Sequence, residues 1–540
     1  MGWRDFFPRI RSQVTEGSGS GNPLLDLASQ ALFRTHPQRP QGLDAASYGR
    51  RLGLWQPMRE HVNALLVKAG ETTIARTRYV VRNNGYARAA VRSWTAATVG
   101  AGIRPSPLIE DNKLKAAVAA AFQDWTDESD VENVTDFYGI QRRVAREVFM
   151  AGECFVHIIN TSPADDKIPL RLQVLPSEQL PVWKNATAPV TNNPIRMGVE
   201  FDNLTKKRVA YWFWIRDPTD IAFSFAFIYN HIVRIPADEI LHIYDPVEAG
   251  QIRGLSGFAA AVVKMFMLDL YDDAELERKK QAARFAGFIK NPPVDLATDP
   301  DMKLGVFDAE LPPYFGPGAF LEMNSGQDIQ FSEPADVGPN YDAFQYRTLL
   351  QLAAALGMPY AEISSDLAKA SYASSRAGLL AFRAEVEAFQ HAVMVYQFLR
   401  PVYQRWFAKA VLAGALPVTA TQLRNTPAVT RFKAMTPKMP WVDPLKDTQA
   451  EALAVQNGFK ARSDVIEAQG YDAEETDARI AADRAREQEL NLTFVATTKV
   501  PPAPALQMPL TTTGGQGEPT PADEQAQHEE QQQQTSKEAA

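Results

Sequence analysis

The chain has 540 residues, enough for more than one domain with its own core. It is 45% hydrophobic and 22% charged, ordinary values for a soluble globular protein. Its formal net charge of −8 excludes a nucleic-acid-binding polycation, so any DNA contact has to be local. One cysteine, Cys154, excludes an internal disulfide and a cysteine zinc site, and fits a reducing compartment.

Residues 1–49 read as a flexible arm, with a Gly/Ser run at 17–21 and prolines at Pro37 and Pro40. The opening MGWRDFFPRI lacks the apolar run of a signal peptide. The longest uncharged apolar stretches, 221–233 and 348–361, are shorter than the roughly 20 residues of a membrane helix. A soluble protein without a membrane partner is expected. Between Arg50 and Arg104 the charge is strongly basic, and Ile74–Val99 reads as one helix. That helix is either a solvated basic face or a contact with DNA or an acidic neighbouring subunit.

Helices are expected at Lys113–Trp125 and Phe137–Ala151. Strands are expected at Glu153–Asn160, Leu170–Leu175, Arg196–Phe201, Arg208–Ile215, Phe227–Ile235 and Ile240–Tyr244. Helices followed by a run of strands point to an α+β domain. A long helix follows from about Leu255 to Phe285, with an apolar stripe of Leu255, Phe258, Val262, Met265 and Phe266. Its second half carries an acidic belt of Asp269, Asp272, Asp273, Glu275 and Glu277, then a basic one of Arg278, Lys279, Lys280 and Arg284. Charge sorted in this way can pair with neighbouring copies of the chain.

Residues 286–339 are Pro/Gly-rich, with strand candidates at Ala319–Met323 and Asp328–Phe331. A helix at Tyr341–Leu356 is stopped by Gly357-Met358-Pro359. A loop runs to Ser375 and a long helix starts at Arg376, which Pro401 should kink or break near Leu399. Short helices are punctuated by Asp464, Gly470 and Asp472, with Asp472 and Glu475 at capping-box spacing. From about Val495 the Pro/Thr/Gln-rich tail reads as disordered.

Several chemistries are missing. No Gly-Lys pair exists, so there is no P-loop, and neither His-Glu-x-x-His nor G-x-S-x-G occurs. No two of the seven histidines stand at ligand spacing, and His157 reads as a packed or hydrogen-bonded strand residue. Glu277-Arg278-Lys279 matches half of a nuclease pattern, but within a charge-dense helix. No cofactor, metal or catalytic residue is expected.

A set of ordered motifs carries a family resemblance. It includes Ala75-Arg76-Thr77-Arg78-Tyr79, Gly100-Ala101-Gly102-Ile103-Arg104-Pro105, Leu241-His242-Ile243-Tyr244-Asp245-Pro246 and Gln251-Ile252-Arg253-Gly254. It continues through Tyr271-Asp272-Asp273-Ala274-Glu275-Leu276, Ala283-Arg284-Phe285-Ala286-Gly287-Phe288 and Asn340-Tyr341-Asp342-Ala343-Phe344. The last members are Leu356-Gly357-Met358-Pro359-Tyr360, Ser371-Tyr372-Ala373-Ser374-Ser375-Arg376-Ala377-Gly378 and Trp441-Val442-Asp443-Pro444-Leu445-Lys446. Residues 50–490 resemble the lambda family of bacteriophage portal proteins.

The resemblance implies an α+β portal-type subunit with an α/β wing, a helical stem, a small β-containing clip and a helical crown. The subunits would form a dodecameric ring at one capsid vertex. Mapped by order, 50–254 would be the wing, 255–285 a stem helix, 286–339 the clip and 340–357 a second stem helix. Residues 358–375 would be a tunnel loop, 376–443 a long kinked helix and connection, 444–494 the crown and 495–540 a disordered tail.

Implied partners are other copies of the chain, double-stranded DNA without sequence preference, terminase, major capsid and scaffold proteins, and head-completion proteins. The expected location is the virion's portal vertex, with assembly in the host cytoplasm. Lys369, Ser371, Tyr372 and Arg376 are the candidates to face DNA, and Asp272, Asp273, Glu275, Glu277, Arg278, Lys279 and Lys280 the inter-subunit charge belts. A tunnel rich in cations would hold phosphates and stall a sliding duplex, so few basic loop residues suit a conduit. The rival readings are a metal-dependent nuclease using Asp272, Asp273 and Glu277, and another minor capsid or head–tail joining protein.

Overall fold

The computed structural model describes residues 59–164, 166–220, 231–282, 287–290, 328–331, 340–368, 372–437 and 444–492. The arm at 1–49, the strand candidate Ala319–Met323, most of the 286–339 segment and the tail at 495–540 lie outside the described residues.

The basic segment forms two helices, α1 (Val62–Asn83) and α2 (Gly85–Thr98), where one was expected. Asn84 separates them. Its backbone is extended, and its side-chain oxygen accepts from the Ala87 N–H at 3.0 Å, so it caps α2. Arg78 is not a solvated charge. Its guanidinium donates to Glu147 on a later helix (2.7 and 3.2 Å) and to Glu178 (2.8 Å). Burial works against its charge, but these bonds outweigh burial and raise its pKa far above the ordinary arginine value. Arg76, Arg82, Arg88 and Arg92 remain exposed.

After β1 (Arg104–Pro107) come α3 (Asn112–Thr126) and α4 (Phe137–Ala151). The strands β2 (Glu153–Ile159), β3 (Arg171–Leu175) and β9 (Ile240–Tyr244) form an antiparallel sheet in the order β3-β2-β9. A second antiparallel sheet joins β4 (Ala186–Thr187), β5 (Pro194–Arg196), β6 (Val199–Phe201), β7 (Arg208–Trp214) and β8 (Ile232–Pro236) in sequence order. The strand expected over Arg196–Phe201 is a hairpin, turned by Met197 and Gly198, both at positive φ.

Among the described residues β8 pairs on one side only. Ile215 N–H donates to His231 and Ala237 N–H to Val209. By antiparallel alternation, Ile232, Arg234 and Pro236 then turn their backbone away from β7. Pro236 has no N–H to offer there, so that edge lacks one donor, while the Arg234 side chain reaches across the sheet to the buried Glu200 at 2.8 Å.

Helix α5 (Val262–Ala282) starts seven residues later than expected, after a turn-rich run at 255–261. A hairpin of β10 (Gly287–Lys290) and β11 (Asp328–Phe331) precedes α6 (Asn340–Ala355) and the short α7 (Tyr360–Ser364). The long helix α8 does not break at Pro401. It runs as α-helix over Tyr372–Phe389, as π-helix over Gln390–Leu399 and as α-helix again over Arg400–Leu412. Proline clashes with the carbonyl four residues back and lacks an N–H. The wider π turns, in which the Arg400 N–H reaches the Val395 carbonyl, carry the helix past it.

The end of the main unit holds α9 (Ala420–Asn425), β12 (Phe432–Met435, paired with β1), α10 (Pro444–Gln456) and α11 (Arg462–Ala468). Neither α10 nor α11 buries a residue. From Glu474 a second unit begins, whose described part is the charged helix α12 (Ala473–Glu489). Among the described residues no helix is long and apolar enough to cross a membrane.

One core joins α2, α3, α4, α5, α6 and α8 through aromatic contacts. Trp94 stacks on Phe149 at 4.9 Å, and Phe122 meets Trp406 edge-on at 4.9 Å. A second core of Phe155, Tyr211, Phe213, Met197 and Val199 lies between the two sheets. Replacing Arg78 by Ala strands two largely buried carboxylates and should cost roughly 2–3 kcal/mol, less than a fully buried pair because some water still reaches the site. Denaturant unfolding of the variant measures this, and a loss below 0.5 kcal/mol, the range of ordinary surface changes, contradicts it.

Candidate functional site

Helix α5 is launched from a backbone-to-backbone contact. Gly152, at φ +91, ends α4, and a Cβ there would meet the Leu255 backbone at 2.3 Å. A Cβ on Gly254 would meet the Gly152 carbonyl oxygen at 2.1 Å. Only glycine lets the 252–257 turn lie this close to the start of β2.

A buried polar network secures the contact. The Glu153 carboxylate, on β2, accepts from Arg253 Nε at 2.7 Å, the Gly254 N–H at 2.8 Å, Ser177 Oγ at 2.6 Å and His242 Nε2 at 2.9 Å. The Arg253 guanidinium also donates to the carbonyls of Leu180 and Met197 (2.9 Å each) and Ser177 (3.1 Å). Arg208 donates to His242 Nδ1 at 2.8 Å and to the Tyr244 hydroxyl at 2.6 Å, which fixes His242 as the neutral Nε2–H tautomer. Burial works to raise the Glu153 carboxyl. The Arg253 charge and the bonds from His242 and Arg253 outweigh it and hold it well below the usual carboxylate range. Burial pushes His242 down to about 4.

On α5 itself, Phe258 just before the helix and Val262, Met265 and Leu268 within it are buried, whereas Phe266 is 43% exposed and faces outward. With Val263, Met267 and Leu270 it makes an apolar stripe left uncovered among the described residues. The first turns of α5 are therefore apolar on two faces, broken by Lys264 and Asp269, the mark of a helix meant for further burial. That signal was present in the sequence, where the assumption of one inward stripe hid it.

The charged residues behave differently from one another. Arg278 donates to the buried Glu275 (2.8 and 3.0 Å), with Lys279 at 4.0 Å, and Lys280 pairs with Glu277 at 2.7 Å. These pairs run along α5 itself and are worth about 0.2–0.5 kcal/mol each. Asp272 accepts from the Tyr341 hydroxyl at 2.9 Å, tying α5 to α6, and Asp273 is exposed. Burial, then that bond, pushes the Tyr341 phenol up to about 12. Among the described residues no cluster of histidine, cysteine and carboxylates could hold a metal ion.

The 358–368 segment is docked for most of its length. Met358 and Ile363 are buried, and Ser93 on α2 donates to Glu362 on α7. Ser365, at φ +57, turns the chain away from α7. Lys369 and Ser371 lie outside the described residues. Tyr372 opens α8, and Arg376 donates to Asp447 on α10 at 2.9 Å. The structure thus brings Arg376 to α10 and the α5 belts to their own helix and to α6.

Residues 48–390 match the family described as phage portal protein, lambda family. A probable portal protein of Halomonas phage phiHAP-1 is 26% identical over 79% of this chain and 83% of its own length. Portal protein B of Escherichia phage lambda is 24% identical over 62% of this chain and 67% of its own length. A chain from the neck of an empty GTA particle, computed with C6 symmetry, aligns over 78% of this chain and 96% of that one, at 15% identity and TM-score 0.43.

Two outcomes test the buried network. Arg253→Met leaves the Glu153 charge unpaired and should destabilise the protein by about 3–5 kcal/mol, read from denaturant unfolding. The depressed His242 and Glu153 values mean that the unfolded chain binds protons first, so stability present at neutral pH is lost as pH falls. The His242 share is lost from 6.5 down to about 4. His242→Gln should flatten that part of a Tm-against-pH curve, and an unchanged slope would show that His242 does not titrate as described.

Proposed function

We propose, since this chain belongs to the lambda family of phage portal proteins, that its copies close into a ring through the exposed stripe of α5 and that double-stranded DNA passes along the axis. The protein is a structural subunit of the portal vertex of a virion and not an enzyme. The observation that supports the ring contact is the uncovered apolar row Val263, Phe266, Met267 and Leu270 on a helix whose other face is already packed. Burying one large apolar side chain fully contributes about 1.5–3 kcal/mol, and a ring repeats the contact at every subunit.

The finer assignments are part of the same reading. The α5 and α6 pair would be the stem and the 286–339 segment the clip, where a separate packaging ATPase and later the head-completion proteins dock. The 444–494 helices would be the crown, and assembly with capsid and scaffold proteins would take place in the host cytoplasm. Residues 365–371, between the docked α7 and the start of α8, would be the part of the tunnel loop that meets DNA. Lys369 and Ser371 would be its contacts, with Tyr372 beside them and Arg376 anchored behind by Asp447. Asp273 and the outer ends of the Glu277, Lys279 and Lys280 side chains would meet the neighbouring subunit.

Native mass spectrometry of Leu270→Asp tests the ring contact. Leu270 is 47% exposed in the single chain, so the variant subunit should fold with an unchanged Tm while the ring population falls at least tenfold. Leu268→Asp, at a 4% exposed position, should instead unfold the subunit. Full rings from Leu270→Asp, or a wild-type chain that stays monomeric, would defeat this reading.

A further inference from the structure

Two helices of the subunit carry an exposed row at the same spacing. On α5, Val263, Met267, Leu270, Ala274 and Glu277 follow one another at alternating steps of four and three residues, and all five are exposed. On α1, Leu65, Ala69, Thr72, Arg76 and Tyr79 repeat those steps, and all five are exposed there too. Steps of four and three are the spacing of a left-handed helix pair, in which the side chains of one row enter the gaps of the other. At about 1.5 Å per residue, each row is about 21 Å long.

The rows also match in order. Both begin apolar. Towards its C-terminal end α5 brings Asp273 and Glu277, and α1 brings Arg76 and Arg82. Arg76, Arg82 and Asp273 make no ion pair among the described residues, whereas Lys68, beside the apolar half of α1, is already neutralised by Glu60. Laid parallel, Leu65 falls opposite Val263, Thr72 opposite Leu270, and Arg76 beside Asp273. Laid antiparallel, the arginines would lie over the apolar start of α5 and its carboxylates over Leu65. Charge complementarity therefore selects the parallel register.

The two rows do not meet within one chain. The opposite face of α1 leans on the run into α5 of its own subunit. Thr77 is fully buried there, with its hydroxyl 3.4 Å from that of Ser256, and Asn84 at the end of α1 donates to Asp269 at 3.2 Å. The row from Leu65 to Tyr79 faces away from that contact. Other exposed apolar groups fit the α5 row less well. Phe344 on α6 leans on Tyr271 of its own chain, their aromatic centres 5.0 Å apart. Leu380 on α8 shares its exposed face with Glu385, which has the same sign as Asp273.

We infer that the exposed row of α5 docks, in parallel, on the α1 row of a second copy of this chain. The inference rests on the ring reading above and names the surface that the α5 row meets. Each subunit then offers one row to one neighbour and the other row to the next, a head-to-tail contact of the kind that can close. Val263, Met267 and Leu270 are covered by Leu65, Ala69 and Thr72, and the small side chains of Ala69 and Ala274 let the helices approach. Arg76 and Arg82 meet Asp273 and Glu277. Of the two roles open to the basic stretch from its sequence, these two arginines take the contact with an acidic neighbouring subunit.

Two measurements on the full-length protein test the contact. Arg76→Glu and Asp273→Arg each set like charges opposite one another. Each should lower the ring population in native mass spectrometry at least tenfold with an unchanged Tm, and the double variant should restore it. Unchanged rings in both single variants, or no recovery in the double, overturns the contact. Thr72→Cys combined with Leu270→Cys tests it without a change of charge. Mild oxidation should link the subunits into chains longer than dimers, because Cys154 is buried and one new thiol can join only two subunits. A folded double variant that gives no such chains overturns the contact as well. Linked chains without a closed ring sink the ring and leave this contact standing. Full rings that Leu270→Asp breaks, but that neither the charge nor the cysteine variants report, sink the contact and leave the ring.

Discussion

The structure depends on a salt bridge buried where backbone touches backbone. Glu153 and Arg253 meet at the point where the end of α4, the start of β2 and the turn before α5 come together, and Gly152 and Gly254 make the approach possible. A buried ion pair is seldom a source of net stability, because desolvation offsets the attraction. Its effect is to specify geometry. Arg253 spends its remaining donors on the carbonyls of Leu180, Met197 and Ser177, and Glu153 its remaining lone pairs on Ser177, Gly254 and His242, so shifting any one of these segments strands a charge. The direction in which α5 leaves the sheets follows from that constraint, and with it the placement of its exposed apolar row.

Much of this was legible in the sequence, though not always for the right reason. The stretches Leu241–Pro246 and Gln251–Gly254 were among those that carried the family resemblance, and they contain His242, Tyr244, Arg253 and Gly254, four members of the buried network. Nothing in the sequence alone links Glu153 to Arg253 across a hundred residues, since pairing over that distance is a property of the packed sheets. The strands β2, β3, β7 and β9 followed from alternation and β-branched content. Two helix expectations failed for local physical reasons. Asn84 can cap a helix in the middle of what looked like one, and Pro401 can be carried by π turns as well as by a break.

The charge-bearing residues make contacts that pattern reading does not supply. On α5, Arg278 and Lys279 reach Glu275 and Lys280 reaches Glu277 at helical spacing within the single chain, contacts that a neighbouring subunit can extend. Arg78, one of many cations in a basic stretch, is consumed by Glu147 and Glu178. What marks the outward surface of α5 is apolar: side chains that ordinary folding would have covered. A subunit built for assembly shows itself by what its own core leaves undone.

A chain whose copies close into a ring meets its two neighbours through two complementary surfaces, and any further adhesive surface works against closure. The outer edge of β8, where Pro236 cannot donate a backbone hydrogen bond, bears on this directly. An open strand edge would offer each newly made subunit a second, unbounded way to join others, and strand-to-strand growth has no geometry that closes. A proline that interrupts that route would favour a finite closed particle over a fibre. One residue on a strand edge would in this way bear on the fidelity of assembly.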